Sequence, residues 1–273
     1  MKKVLVLILL ALCAVSLVAC GEKTEAKNKE LTVAATLDPH SKILEFAKPI
    51  LKEKYGIDLK IRILDDYYIF NKSLVEGEID ANYFQHLPFF NNEVEANNYD
   101  IANIAGVHIE PFGFYSKKIT ALSELADNAE IIISNSVADH GRLLSVLSDA
   151  GIITLKDGSD AITATLEDIV ENNKNLVFKE VKPELLTVAY ENDEGDLVAI
   201  NGNYAIQIGL NPSKDAVILE SSKEDNPFVN ILACRKEDVD NSNIQKLVEV
   251  LKSQEVKDFI LKEYSNGSVI PAE

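Results

Sequence analysis

The sequence predicts an α/β protein of two lobes, each built on a mixed β-sheet flanked by helices. Strand-like and helix-like segments alternate from residue 31 to the end of the chain, which is typical of sheets covered by helices on both faces. The alternating region spans about 240 residues, which is long for one open sheet but suits two smaller ones. Two stretches, 112–118 and 220–227, stand where the chain could cross between the sheets and return.

The first half of the chain predicts a succession of strands and helices from its apolar periodicity. Strands are expected at 31–36, 57–64 and 101–108, a strand-like stretch at 78–82, and helices at 40–56 and 71–78. In the first helix, apolar side chains from Ile43 to Leu51 share one face, and Gly56 stands at the expected C-terminal cap. Pro49 lies inside that helix, and we expect it to kink the helix or restart it.

The second half repeats the alternation. Strands are expected at 130–134, 175–181, 196–200 and 229–235, and helices at 139–151, 163–172, 184–190, 241–252 and 254–265. The crossings then define a discontinuous first lobe, 31–112 plus 226–273, and an inserted second lobe, 113–225, with Gly113 as a candidate hinge. In such architectures a ligand sits between the lobes, where the carboxyl ends of strands meet the first turns of helices.

The first 30 residues predict export and attachment to a membrane. Lys2 and Lys3 precede an apolar run ending at Cys20, which is typical of a secretory signal and shorter than a membrane-spanning helix. Because "LVAC" before a glycine resembles the lipobox of bacterial lipoproteins, we expect removal of residues 1–19 and lipid attachment at Cys20. Residues 20–30 are charged and without aromatics, like a tether. The protein is therefore expected outside the cytoplasm, anchored to the bacterial cell membrane.

The mature chain is strongly acidic. Loss of the signal leaves 25 basic and 44 acidic residues, a formal charge of −19. Such a surface repels nucleic acid and anionic lipid, so we expect no nucleic-acid partner and membrane contact only through the anchor. Cys13 leaves with the signal and Cys20 is acylated, so Cys234 has no partner for an internal disulfide.

No sequence signature of catalysis or of a cofactor is present. The glycine patterns of dinucleotide sites, P-loops and nucleophile elbows are absent, and no nucleophile–base pair stands out. His40, His86, His108 and His140 are scattered, and none pairs with another at i, i+4 spacing. We therefore expect no enzyme, no cofactor and no metal site, with a metal-ion receptor and an adhesive surface lipoprotein as alternative functions.

Several polar side chains stand where strands end or where an apolar residue is the usual choice. Arg142 lies inside a helix with Ser136 and Asp139 near its start, and guanidinium and helix N–H groups together favour a carboxylate; the alternative is an ordinary surface pair with a glutamate. Asn201 follows a strand and could bind a zwitterion or cap a helix. Asn230 lies within a β-run, where a buried amide needs partners from a ligand or a crossing strand.

The run "EIDANYFQHLPFF" at 78–90 mixes aromatic, amide and imidazole side chains. It falls beside a strand-like stretch, where the cleft between the lobes is expected. Phe84 and His86 are therefore candidates for a ligand wall, and the alternative is that both are core residues.

Six phrases, in order and at consistent spacing, are shared with one known family. They are "ATLDPHSKILEFAKP", "EGEIDANYFQHLPFF", "GVHIEPFGFYSKK", "HGRLLSVLSDAGIITLKDG", "AINGNYAIQIGL" and "FVNILACRKED". From residue 31 onward the chain resembles the methionine-binding lipoproteins of the NlpA/MetQ family. The resemblance implies a two-lobed periplasmic-binding-protein fold, type II-like, in a monomer that delivers methionine or a related compound to an ABC importer made of a permease and a cytoplasmic ATPase.

The resemblance also implies roles for matching positions. Arg142 is expected to clamp the ligand carboxylate, and Asn201 and Asn230 to bond the backbone groups of an amino acid. A second set is expected to wall the side-chain pocket: Phe84, His86, Tyr67 and Phe70. Gln85, Glu110 and Tyr115 lie in family-like segments and are weaker candidates. Aromatic faces suit a thioether, and neighbouring polar groups satisfy the polar ends inside a dry cleft.

One position departs from the family pattern. The segment before Gly141 and Arg142 reads "NSVADHGR", so Asp139 stands where an asparagine is usual. A carboxylate there could compete for Arg142 or bind an ammonium group of the ligand. A methionine-containing dipeptide or another amino acid therefore remains an alternative ligand.

Overall fold

The structure of the chain is a computed structural model that describes residues 29–221 and 226–272. The predicted signal segment, Cys20 and most of the tether lie outside the described residues. Within these two ranges, every helix is too short or too polar to cross a lipid bilayer.

The strands of the described chain form two large sheets and one small one. The strands are β1 (Glu30–Ala35), β2 (Asp58–Ile63), β3 (Ala81–His86), β4 (Ile101–Ile109), β5 (Gly113–Tyr115), β6 (Glu130–Ser134), β7 (Thr154–Leu155), β8 (Ile169–Glu171), β9 (Val177–Val181), β10 (Leu197–Ile200), β11 (Ala216–Leu219), β12 (Val229–Arg235) and β13 (Ile270–Pro271). The first sheet has the order β2-β1-β3-β12-β4-β13, and the second has the order β9-β6-β10-β5-β11. β7 and β8 pair separately.

Both large sheets combine parallel and antiparallel pairs. In the first, β1 runs parallel to β2 and β3, whereas β12 runs antiparallel to β3 and β4. In the second, β6 runs parallel to β9 and β10, whereas β5 runs antiparallel to β10 and β11. The prediction of mixed sheets is confirmed.

Helices connect the strands and cover the sheets. The helices are α1 (His40–Tyr55), α2 (Tyr67–Val75), α3 (Leu87–Asn97), α4 (Val137–Asp149), α5 (Leu186–Glu191), α6 (Gly202–Gln207), α7 (Pro212–Asp215), α8 (Ser242–Leu251) and α9 (Gln254–Glu263). α1, α8 and α9 share one core with the first sheet, in which Leu44 and Leu247 are fully buried. Burying each such leucine stabilises the fold by about 1.5–3 kcal/mol. The predicted α/β architecture with flanking helices is therefore confirmed.

Two chain segments connect the large sheets, and they lie side by side. The chain passes from β4 to β5 through Phe112 and returns from β11 to β12 through Glu220. The Glu220 N–H donates to the Phe112 carbonyl at 2.8 Å, and the Phe112 N–H donates to Glu220 Oε2 at 3.1 Å. A Cβ atom on Gly113 would lie 2.8 Å from the Tyr115 ring, so a larger residue there would displace the buried Tyr115 side chain.

The prediction of a helix at 163–172 is wrong. The Asp160 carboxylate accepts two backbone N–H groups at 2.8 Å each, and Thr165 and Asp168 cap each other around one 3-10 turn, Leu166–Asp168. The chain then extends as β8 and pairs with β7. Side chains that bond nearby backbone groups compete with helix formation, and here they limit it to one turn.

The run at 78–90 forms a strand and then a helix. The strand β3 ends at His86, well past the predicted end at residue 82, and all six of its residues are buried. α3, which was not predicted, follows directly with Pro88 in its first turn. His86 caps this helix because its Nδ1 accepts the Phe89 N–H at 3.1 Å. α1 is a single helix that continues through Pro49.

Candidate functional site

A cavity lies between the two large sheets, at the carboxyl ends of β3, β4 and β10. It encloses about 390 Å³ including its opening to solvent. Most of the predicted ligand-binding residues line it: Tyr67, Phe84, Gln85, His86, Glu110, Asp139, Arg142, Asn201 and Asn230. The topology therefore brings together side chains that are widely separated in the sequence.

Phe70 and Tyr115 do not line this cavity, and their expected place on its wall is corrected. Phe70 is fully buried and stacks on Phe84, with ring centroids 3.9 Å apart. Phe70 therefore packs against Phe84, which is part of the aromatic wall. Tyr115 is fully buried on β5, with its ring 6.3 Å from the Tyr190 ring. Tyr115 therefore belongs to the packing of the second sheet.

Arg142 projects from α4 and is almost fully buried, with 4% of its surface exposed. Its Nε and Nη2 donate to the two carboxylate oxygens of Glu220 at 2.9 and 2.5 Å, and Nη2 also donates to the Glu110 carbonyl at 2.7 Å. The guanidinium lies 4.4 Å from the centre of the Phe228 ring. Arg142 is thus paired with a glutamate, as the alternative interpretation stated, but inside the cleft rather than on the surface.

Asp139 and His86 form a second buried pair across the cavity. His86 Nε2 donates to Asp139 Oδ1 at 3.0 Å. Burial raises the pKa of the Asp139 carboxyl, but the His86 hydrogen bond and the nearby Arg142 charge outweigh it and hold this pKa below its usual value. Asp139 is therefore negatively charged at neutral pH.

The two asparagines at the start of α6 each leave one buried amide atom without a partner. Asn201 Nδ2 lies 3.5 Å from both Asp139 oxygens, and its Oδ1 accepts no hydrogen bond from the described residues. Asn203 Oδ1 accepts the Tyr67 hydroxyl at 2.6 Å, and its Nδ2 has no acceptor in the described chain. A Cβ on Gly202 would lie 2.6 Å from the Glu110 Cβ, so glycine lets α6 approach the first sheet. The cavity wall therefore includes one amide oxygen and one amide nitrogen that lack partners among the described residues.

Aromatic rings form the apolar part of the wall. Tyr67 lies 5.8 Å from both Phe84 and Phe89 between ring centroids, and the rings are tilted or edge-on to one another. Gln85 also borders the cavity, but its amide is occupied by three hydrogen bonds to Asn71 and Asn82, at 2.8–3.0 Å. Gln85 therefore holds β3 against α2.

Two histidines converge beneath the cavity, although the sequence predicted scattered histidines. His40 Nε2 lies 3.0 Å from Asn230 Oδ1, and His108 Nε2 lies 2.8 Å from Glu110 Oε1. Burial lowers the pKa of His40 to about 4 and that of His108 to about 3. Burial also raises the pKa of the Glu110 carboxyl. Both rings are therefore neutral, and they fix the amide of Asn230 and the carboxyl of Glu110.

His40, His108 and Glu110 are also the residues that could hold a metal ion, because their ligand atoms all lie within 4.8 Å of one another. The remaining ring nitrogens are occupied as well. His40 Nδ1 lies 2.6 Å from the Thr36 hydroxyl, and His108 Nδ1 bonds the Tyr83 hydroxyl. An ion at this point would have to replace the hydrogen bonds of Nε2 on both rings, so the geometry favours a hydrogen-bonded support for the cavity floor.

The cavity combines features that suit a small amphoteric molecule with an apolar tail. Arg142 and the Asn203 amide supply donors, Asp139 and the Asn201 amide supply acceptors, and Tyr67 begins the aromatic wall. Residues 31–273, from β1 to the end of the chain, match the model of the NlpA lipoprotein family. The chain belongs to the NlpA lipoprotein family. The resemblance read from the six phrases is confirmed.

Several known proteins match nearly the whole chain. Methionine-binding lipoprotein MetQ of Bacillus subtilis is 50% identical over 274 residues, covering 99% of each chain. A crystal structure of a lipoprotein from Bacillus subtilis superposes with a TM-score of 0.86 at 52% identity, covering 90% of this chain and 99% of that one. A nutrient binding protein from Burkholderia cenocepacia bound to methionine has a TM-score of 0.83 at 34% identity, covering 89% and 100%. The two-lobed periplasmic-binding-protein fold is confirmed by these matches.

Sequence reasoning missed several residues of the NlpA-family cleft. The cavity is also lined by Phe89, Gly202 and Asn203. The Arg142 guanidinium is hydrogen-bonded by Glu220 and packs over the Phe228 ring. Asn203 carried a local signal, because it stands two residues after Asn201 in "NGNY". Glu220 carried none, since it pairs with an arginine 78 residues earlier.

Proposed function

We propose that the protein captures methionine, in its L or D form, or a close relative, and delivers it to an ABC importer. The observation that carries the proposal is a buried cavity between two lobes that joins a guanidinium and amide groups to an aromatic wall. The methionine-bound relative from Burkholderia cenocepacia supports this choice of ligand. Solute-binding proteins of this family act by binding, and we propose no enzymatic activity.

Each cavity residue has a proposed role. The Nη1 edge of Arg142 takes the ligand carboxylate, because Nε and Nη2 are held by Glu220 and Nη1 donates to none of the described residues. Asn201, Asn203 and Asn230 bond the polar groups around the α-carbon. Tyr67, Phe84 and Phe89 enclose the thioether, and sulfur–aromatic contacts contribute ~0.3–1.5 kcal/mol each.

The placement of the protein is part of the same proposal. Residues 1–19 are removed as a signal, Cys20 carries the lipid anchor, and residues 20–30 form the tether to the first lobe. The first lobe comprises 31–112 plus 226–273 and the second comprises 113–225, which agrees with the strands in each sheet. A monomer of this kind hands its ligand to a permease that a cytoplasmic ATPase drives.

Calorimetry on the full chain in detergent, stripped of ligand by partial unfolding and refolding, tests the proposed ligand. We expect saturable one-to-one binding of L-methionine, D-methionine or a methionyl dipeptide, and much weaker binding of glycine, which has the same polar groups and no side chain. If none of the three methionine compounds binds, the proposed function is wrong.

Tyr67→Phe is expected to lower the affinity for methionine about tenfold, ~1.4 kcal/mol. The substitution keeps the ring but removes the hydroxyl that fixes the amide of Asn203, so the Asn203 Nδ2 donor is no longer directed into the cavity. Calorimetry measures the change. Tyr204→Phe is the matched control, because the Tyr204 ring stacks on Tyr67 but its hydroxyl bonds the Asp65 carbonyl outside the cavity. Equal losses in the two variants would contradict the role given to Asn203.

A further inference from the structure

We propose that Glu220 is a positioning residue for the ligand carboxylate, because it holds Arg142 in the orientation that leaves the Nη1 edge of the guanidinium to the ligand. This inference rests on the proposed function and adds to it a residue that does not itself touch the ligand. Glu220 lies on the return segment between the large sheets, and the described residues that line the cavity do not include it. Its effect on binding therefore passes through Arg142, which it contacts directly.

The Glu220 carboxylate fixes the plane of the Arg142 guanidinium. Oε1 accepts from Nε at 2.9 Å and Oε2 accepts from Nη2 at 2.5 Å. Two side-by-side hydrogen bonds to one carboxylate define both the position and the rotation of a planar guanidinium, whereas a single bond leaves it free to turn. Nη2 also donates to the Glu110 carbonyl at 2.7 Å. Nε and Nη2 are thus occupied, and the arginine presents Nη1 to a ligand.

Backbone hydrogen bonds hold Glu220 itself in place. Its N–H donates to the Phe112 carbonyl at 2.8 Å, and its Oε2 accepts the Phe112 N–H at 3.1 Å. The Phe112 ring is fully buried, and its centre lies 5.5 Å from the Arg142 guanidinium carbon. Oε2 therefore joins the first crossing segment to the arginine, and the backbone at Glu220 is not free to follow a shortened side chain.

The contacts of Glu220 require the full length of a glutamate side chain. Glu220→Asp keeps the negative charge but removes one methylene, so the carboxylate retracts and no longer spans Nε and Nη2 of Arg142. The arginine then keeps a counter-charge and loses its fixed orientation. A ligand carboxylate has to order this side chain when it binds, which lowers affinity. A ligand without a carboxylate makes no use of Arg142 and should be unaffected.

The test compares L-methionine with L-methioninamide on the full chain in detergent. Methioninamide keeps the amino group and the side chain, and it replaces the carboxylate by a neutral amide of similar shape. For Glu220→Asp we expect the affinity for methionine to fall about tenfold, whereas the affinity for methioninamide stays within about threefold. Direct calorimetry measures the first affinity, and displacement calorimetry measures the second.

A double-mutant cycle tests whether Glu220 acts through Arg142. In the Arg142→Ala background, Glu220→Asp should leave the affinity for methionine within about twofold of that of Arg142→Ala alone. A further tenfold loss in that background would show that Glu220 acts independently of the arginine, and it would overturn the proposal. Glu78→Asp is the matched control, because Glu78 pairs with Arg62 at 2.9 Å on the exposed surface and should change neither affinity.

The outcomes separate this inference from the proposed function. If the unchanged protein binds neither probe, the proposed function fails and the inference fails with it. If the unchanged protein binds methionine but Glu220→Asp weakens both probes alike, or leaves methionine unaffected, only the positioning role is overturned. A melting temperature for each variant reports the fold, and the methioninamide affinity of the same variant reports whether the cavity is intact.

Discussion

Arg142→Ala should reduce the affinity for methionine at least a hundredfold, ~2.7 kcal/mol. The guanidinium is buried in the cleft, so a ligand carboxylate placed beside it is removed from water and depends on it for compensation. Truncating one partner of a buried, hydrogen-bonded charge pair costs about 2–5 kcal/mol in comparable interfaces. Calorimetry with methionine measures the loss.

The Arg142 substitution also leaves Glu220 without its ion pair, so its effect on stability has to be separated from its effect on binding. The double variant Arg142→Ala with Glu220→Gln removes the unpaired charge and should restore part of the melting temperature without restoring affinity. Arg62→Ala is the control, since Arg62 pairs with Glu78 at 2.9 Å on the exposed surface, where such pairs contribute little. Unchanged affinity in Arg142→Ala would remove Arg142 from the site.

The sequence revealed the position of Arg142 but not its environment. A guanidinium within the first two turns of a helix is a local property, and α4 forms at that position. The partner Glu220 depends on two crossing segments lying side by side, joined by the hydrogen bond from Glu220 to Phe112. No local pattern encodes that juxtaposition, because it arises only when both sheets have formed.

Local polar groups decided where the predicted elements differ from the structure. At 163–172 the apolar spacing favoured a helix, but the Asp160 and Asp168 side chains accept nearby backbone N–H groups and hold the chain in turns. At His86 the reverse occurs, because its ring caps α3 and lets a helix begin directly after β3. In both places side-chain hydrogen bonds to nearby backbone decide whether a helix forms, and the apolar periodicity alone does not show the outcome.

The convergence of His40 and His108 could not be predicted from the sequence, because it depends on how the strands pair. One histidine starts α1 and the other lies on β4, 68 positions later in the chain. The pairing of β12 with β4 sets Asn230 opposite His108, and His40 Nε2 lies 3.0 Å from Asn230 Oδ1. The individual residues were visible in the sequence, whereas their assembly under the cavity required the strand order.

Lowering the pH from about 6.5 to about 4 should progressively reduce the free energy of unfolding. His40 and His108 have pKa values of about 4 and about 3 in the folded protein, whereas the ordinary value is 6.5. Between these values the unfolded chain binds protons that the folded chain excludes, so stability is fully present above pH 6.5 and is lost as the pH falls. Each histidine contributes up to about 1.4 kcal/mol per pH unit in this window.

The ionisation of Glu110 changes the free energy of unfolding with pH in the opposite direction to that of the two histidines. Burial raises its pKa in the folded protein, so its contribution is fully present below its ordinary value of 4.5 and is lost as the pH rises through the raised pKa. Glu110→Gln should therefore steepen the acid-side loss of stability. The paired carboxylates with lowered pKa, such as Asp139, lose their contribution only below about pH 4, which keeps them outside the histidine window.

Urea unfolding at half-unit steps from pH 8 to pH 4 measures this dependence through the extrapolated free energy. The double variant His40→Gln with His108→Gln should be less stable at pH 8, because two packed rings are lost, but its free energy should change much less between pH 6.5 and pH 4.5. A slope in that window equal to that of the unchanged protein would show that the two histidines are protonated in the folded state. Their neutral rings could then no longer be what fixes Asn230 and Glu110 beneath the ligand.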